Sequence, residues 1–198
     1  MKLIILGRDG ILNEYRDDHV KAPEEWMPIR GALEALSRLN HAGWHAVVAT
    51  NQAGIGRGMI DMAAVNAVHL QMTRLAQERG GRIDAVFFCP HTPEEHCGCR
   101  KPLPGMMHEI GTRYGVDLRG VPMVADTLRD LLAAQAAGCQ PHLVLSGRAA
   151  HLDESGLGQI LRQVPATRVH RDLGTLAEHL IAAPRGGAVA TASATGGG

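Results

Sequence analysis

Five short apolar runs, at residues 3–6, 44–49, 85–88, 122–125 and 142–145, alternate along this chain with stretches of helical periodicity at 32–41, 62–79, 105–114 and 128–137. Continuous apolar runs of strand length belong to strands buried on both faces, and an intervening helix provides the crossover that parallel strands require. The alternation predicts an α/β fold: a single Rossmann-like domain with a parallel sheet and helices on both faces. In the first helical stretch Leu33, Leu36 and Leu39 recur on one face, and Gly43 falls where a left-handed C-terminal cap belongs. These are packing positions. A last helix is expected at 173–182, within a domain spanning 1–183. The stretch PRGGAVATASATGGG at 184–198 cannot bury enough surface to order itself and is expected to be a disordered tail.

A chain of 198 residues that is 45% hydrophobic can bury a sizeable core. Twenty basic and twenty acidic residues balance, which argues against a nucleic-acid binder or a membrane-surface protein. No apolar stretch approaches the length of a membrane span and no export signal precedes the first strand, so a cytoplasmic protein, most simply a monomer, is expected.

Three of the four cysteines crowd into one segment, Cys89-Pro90-His91 followed by Cys97-Gly98-Cys99. Three thiolates and an imidazole in two tight pairs make a closed tetrahedral set, the pattern of a structural zinc site with no open catalytic position. His96 is the alternative nitrogen ligand, although the Cys-x-His pairing favours His91. Arg100 and Lys101 follow at once, so the metal would fix a loop that aims two cations. Cys139 reads as a small buried thiol.

In open α/β sheets ligands sit just beyond the carboxyl ends of the strands. Polar segments at or near such ends are Gly7-Arg8-Asp9-Gly10, Thr50-Asn51-Gln52, Arg100-Lys101-Pro102, and Ala125-Asp126 with Asp130 following. Singly, each has a plain structural reading: Asp9 as a turn aspartate, Thr50 as a strand-end hydroxyl, Asp126 as a helix N-cap. In this order and spacing they resemble the haloacid dehalogenase superfamily of phosphatases, over nearly the whole chain except the tail. The resemblance implies that Asp9 is the general acid and then the general base, that Thr50 holds the transferring phosphoryl group, and that Lys101 neutralises charge. It also implies that Asp126 and Asp9, the latter through its backbone carbonyl, hold Mg²⁺, with Asp130 in support.

A zinc loop in place of a large cap resembles the branch that contains heptose-bisphosphate and histidinol-phosphate phosphatases. The segments TNQAGIGRGM and CRKPLPGM are more similar to the former, which implies a phosphorylated sugar as substrate, bound by Asn51, Gln52, Arg57 and Arg100. The two arginines are suited to a second phosphate as planar forks.

One position departs from the pattern decisively. In the resembled mechanism the carboxylate that attacks phosphorus stands at position 7, and here the residue is Gly7. Arg8 is a cation and cannot attack, and Asp9 has its own task. Ile11 and Ala125 are milder departures, adding methyl groups where the superfamily often has threonine and glycine. Three readings stay open: a heptose-bisphosphate phosphatase deprived of its nucleophile, a histidinol-phosphate phosphatase, and a protein that binds a phosphosugar without turning it over.

Overall fold

In the computed structural model, which describes residues 1–182, six parallel strands form one sheet in the order β3-β2-β1-β4-β5-β6. They are β1 (Lys2–Leu6), β2 (Trp44–Asn51), β3 (Ala85–Cys89), β4 (Pro122–Ala125), β5 (Gln140–Val144) and β6 (Arg168–His170). The helices are α1 (Ala32–His41), α2 (Ala53–Gly56), α3 (Met62–Glu78), α4 (Gly105–Tyr114), α5 (Leu128–Ala136), α6 (Glu154–Gln163) and α7 (Leu173–Ala182). The tail expected at 184–198 lies outside the described residues. No helix among those described is long and apolar enough to cross a membrane.

The predicted layering is present. Alternate residues of β1 and β2 face opposite sides: Ile4, Leu6, Ala46 and Val48 pack with α1, α3 and α7, while Leu3, Ile5, Val47 and Ala49 pack with Met106, Met107 and Ile110 of α4. Period-two alternation with both faces buried is why these strands read as unbroken apolar runs. Helix α1 ends with Gly43 at φ 86°, the left-handed position expected for it.

Strand β6, helix α6 and the four-residue α2 were not visible in the periodicity. Strand β6 is three residues at the sheet edge with Arg168 and Val169 exposed, and α6 buries only Ile160 and carries Gly156 and Gly158. An edge strand and a surface helix that bury so little leave no apolar run or stripe to read.

The chain winds from β1 through β2 to β3 on one side and then crosses β1 to continue with β4. The strand order reverses between β1 and β4, which opens a crevice at their carboxyl ends. Gly7 and Asp9 follow β1, and Asp126 follows β4.

Candidate active site

Gly7 directly follows β1, and its N–H donates to the carbonyl of Val124 at 2.9 Å. A Cβ built at this position would lie 2.9 Å from Cγ1 of Ile11 and 3.5 Å from the Val124 carbonyl oxygen. The backbone is not in the left-handed region, so no conformational demand requires glycine here. A side chain at position 7 meets one obstacle, and that obstacle is the side chain of Ile11.

The next residues form a rigid charged cluster. Arg8 is buried and pairs with Asp9, Nη2 to Oδ1 at 3.0 Å, and the same carboxylate oxygen accepts from Asn13 Nδ2 at 3.0 Å. Burial alone would raise the Asp9 carboxyl, but the Arg8 charge and the Asn13 and Arg8 hydrogen bonds outweigh it and hold Asp9 below the usual carboxylate range. The group is a carboxylate at neutral pH, in the form of a base. From α3, His69 Nε2 lies 3.2 Å from Arg8 Nη1. Burial, reinforced by the Arg8 charge, pushes this imidazole down to about 4, so it stays neutral and accepts the guanidinium proton.

Strand β2 contributes Thr50 and Asn51. Thr50 is buried, and the Gln52 amide is best oriented with its oxygen toward Arg8 Nη2 at 3.0 Å and the Thr50 hydroxyl at 2.9 Å. The Asn51 amide brackets the backbone of Lys101, donating to its carbonyl at 3.0 Å and accepting from its N–H at 3.2 Å. Both amides, expected to meet substrate, make these hydrogen bonds to protein groups, and Asn51 also lines the cleft described below.

Lys101 is buried, with Nζ donating to the Ala49 carbonyl at 2.9 Å and to Asp130 Oδ2 at 2.8 Å. Burial would raise the Asp130 carboxyl, yet Lys101 and Arg129 hold it below the ordinary range. Asp130 therefore anchors the lysine. Asp126 does not cap α5: that role belongs to Thr127, whose side chain accepts from the Asp130 N–H at 3.3 Å. Asp126 Oδ2 instead accepts from the Arg148 backbone N–H at 2.9 Å, and burial raises this carboxyl to about 6. A desolvated carboxylate that lacks a cationic side-chain hydrogen-bond donor among the described residues fits a bound cation. Its partner would be Asp9 through the backbone, while Gly7 supplies no second carboxylate.

The metal-ligand pattern assembles as expected. Donor atoms of Cys89, His91, Cys97 and Cys99 all lie within 4.8 Å of one another, with sulfur–sulfur separations of 3.3–3.5 Å. Separations near the edge lengths of a small tetrahedron suit zinc with thiolate and imidazole ligands. His96 stays outside the cluster, exposed at φ 48°. Cys139 is buried and its thiol is pushed up to about 12 by burial, which makes it inert.

The cysteine loop also carries the cations. Arg100 Nη1 donates to the His91 carbonyl at 3.1 Å, and Gly56 N–H donates to the Pro90 carbonyl at 2.9 Å, which fastens α2 and its C-cap Arg57 to the same loop. Both arginines line a cleft of about 250 Å³ with Asp9, Thr50, Lys101 and Asp126. Arg57, Arg100 and Arg148 have no carboxylate within ion-pair distance among the described residues, whereas Arg8 and Arg129 do. The cleft thus has a cationic surplus on its walls, as an anion site requires.

Sequence reasoning missed Asn13, His69, Ser146 and Arg148. His69, Ser146 and Arg148 act through contacts between distant segments, which leave no local spacing to read, whereas Asn13 reaches Asp9 within the same turn.

A family model described as HAD-hydrolase-like matches residues 98–176. The chain is 50% identical over 182 residues to D-glycero-β-D-manno-heptose-1,7-bisphosphate 7-phosphatase of Bordetella bronchiseptica, covering 91% of this chain and 98% of that one. The enzyme of the same name from Pseudomonas aeruginosa is 44% identical over 179 residues, or 90% and 97% of the two chains. A crystal structure of the Bordetella bronchiseptica protein with magnesium and phosphate superposes with a TM-score of 0.85, covering 91% and 98%. That of D,D-heptose 1,7-bisphosphate phosphatase from Burkholderia thailandensis gives 0.69 at 41% identity, covering 92% and 100%. With the site's geometry and relatives matched over nearly their full length, this chain belongs to the haloacid dehalogenase-like family of phosphatases, in the branch formed by the heptose 1,7-bisphosphate phosphatases.

Proposed function

We propose that the cleft binds D-glycero-β-D-manno-heptose 1,7-bisphosphate with its 7-phosphate against Thr50 and Lys101, and that Gly7 withholds the covalent step for which the rest of the site is arranged. The observation that carries this reading is the survival of every other part of the site around position 7: Lys101 locked by Asp130, Asp9 held charged, and Asp126 buried and free for a cation.

In this reading Lys101 and Thr50 hold the reacting phosphate. Arg57 and Arg100, both fixed to the cysteine loop, meet the second phosphate from one wall. Zinc in the Cys89–His91–Cys97–Cys99 set keeps that loop in shape. Mg²⁺, when bound by Asp126 and the Asp9 carbonyl, supplies charge neutralisation for the phosphoryl oxygens. With a carboxylate at position 7, its oxygen would attack phosphorus, the bond from phosphorus to the sugar oxygen would break, and Asp9, a carboxylate in the free site, would pass to that oxygen a proton taken up from solvent as the anionic substrate binds. Asp9 then takes a proton from the water that releases phosphate. Glycine has no atom for the first of these steps.

Calorimetric titration tests the substrate assignment independently of turnover. Heptose 1,7-bisphosphate is expected to bind at least tenfold more tightly than histidinol phosphate, because only the bisphosphate engages both ends of the cleft. Equal affinities, or a preference for histidinol phosphate, would overturn it.

A further inference from the structure

Arg148, which lines the cleft, comes from a segment that no motif announced. After β5 the chain turns through Ser146, Gly147 and Arg148, and three contacts fasten this tripeptide to the reaction centre. Ser146 Oγ donates to the Gly10 carbonyl at 2.6 Å, and the Arg148 N–H donates to Asp126 Oδ2 at 2.9 Å. Between them Gly147, at φ 53°, presses so closely on Gly10 and Asp126 that a Cβ would overlap both. The backbone of Arg148 is therefore placed by the same groups that form the site.

Its side chain is placed as well. The guanidinium carbon lies 4.1 Å from the centroid of the Tyr15 ring, and one N–H donates to the Tyr15 hydroxyl, which in turn donates to Asp17. An aromatic face orients a guanidinium without neutralising it. Arg148 and Tyr15 both line the cleft, and Arg148 has no ion-pair partner among the described residues. It comes from the β5 side of the sheet, whereas Arg57 and Arg100 come from the β2–β3 side.

We propose that Arg148, carried on Tyr15, is a specificity-determining residue that grips the non-reacting phosphate of a sugar bisphosphate from the wall facing Arg57 and Arg100. The inference rests on the phosphosugar reading above. A phosphate offers oxygens on more than one side, so forks from two walls select a ligand with a second phosphate at the right reach, and a monophosphate leaves Arg148 unused. Because the Arg148 backbone also sets Asp126, the residue that recognises the far phosphate is built into the metal-binding edge of the site.

The test is calorimetric, on the full chain, with three probes: heptose 1,7-bisphosphate, heptose 7-phosphate and inorganic phosphate. Arg148→Gln keeps the backbone N–H that Asp126 needs and is expected to weaken the bisphosphate about tenfold or more, the scale of a lost charge-assisted pair, with the other two probes unchanged within about twofold. Tyr15→Phe, which keeps the ring, should stay within about threefold of the parent, while Tyr15→Leu should approach Arg148→Gln. If Arg148→Gln retains the parent's preference for the bisphosphate, or weakens all three probes equally, the inference is wrong. If the parent itself shows no preference for the bisphosphate over the 7-phosphate, the phosphosugar reading is what fails.

Discussion

At position 7 the question is whether glycine is required by the fold or merely present. Its backbone conformation is open to any residue, and the only close neighbour of an added Cβ, at 2.9 Å, is the Ile11 side chain. Gly147 is the opposite case, with a left-handed φ and backbone atoms of Gly10 in the way. Side chains can rotate aside and backbone cannot, so the two glycines should respond differently to the same substitution. Gly7→Ala is expected to lower stability by about 1 kcal/mol, the low end of overpacking, and Gly147→Ala by about 3 kcal/mol, where strain and overlap add. Urea unfolding of the two variants measures this; equal losses would contradict the geometry. The sequence made Asp9, Thr50 and Asp126 legible because strand ends position them locally, and Lys101, beyond the cysteine loop that follows β3, only through the resemblance. It did not make legible that the Asn51 and Gln52 amides hydrogen-bond protein groups, since an amide beside a strand looks the same whether it faces a ligand or a lysine backbone.

Among the elements, the cysteine loop and the β5–β6–α7 edge make separate predictions. The loop holds Arg100 through the His91 carbonyl and α2 through Pro90, so its shape depends on the four-ligand cluster. Metal analysis should find one zinc per chain, and Cys97→Ser should release it and loosen the loop, given binding free energies on the order of 10 kcal/mol in small zinc sites. A fully folded, metal-free wild-type protein would contradict the assignment. At the other edge, His142 of β5 is buried and stacked on His170 of β6, Nδ1 to Nε2 at 2.9 Å, with His179 of α7 against His170 and Arg168 beside His179. Burial first, then the neighbouring His170 and Arg168 charges, hold His142 down at about 3. An unfolded imidazole takes a proton near 6.5, so below that pH the unfolded chain binds a proton that folded His142 refuses. The stabilisation is complete above pH 6.5 and is lost as pH falls, by about 1.4 kcal/mol per pH unit for this one group. Urea unfolding at pH 7.5 and 5.5 should show that loss, with a shallower slope in His142→Phe; an unchanged slope would refute it. The sequence revealed five strands by their apolar runs but not β6, whose three residues meet the core through a histidine stack instead of through aliphatic burial.

For the whole molecule, the topology is what joins segments that the sequence keeps far apart. The crossing from β3 back past β1 to β4 brings position 7, Lys101 and Asp126 to one crevice; the apolar runs and helical stretches predicted a parallel sheet, while only the resemblance implied that these residues share a site. Contacts between crossovers, such as Ser146 on Gly10 or His69 on Arg8, depend on how helices and loops come to rest on the sheet and have no trace in local spacing. Around that crevice stand Asp9, Thr50, Lys101 and Asp126, the residues the resemblance singles out, while Gly7 lacks the carboxylate that would attack phosphorus and help hold the cation. The most direct test is single-turnover phosphate release from heptose 1,7-bisphosphate with Mg²⁺ by this chain and by its Gly7→Asp variant. Near inertness is expected for the chain as it stands, with an increase of about 1,000-fold or more on restoring the carboxylate, the scale expected when a nucleophile is regained. Fast release by the Gly7 protein, abolished by Asp9→Asn or Asp126→Asn, would contradict the claim that this site lacks its nucleophile.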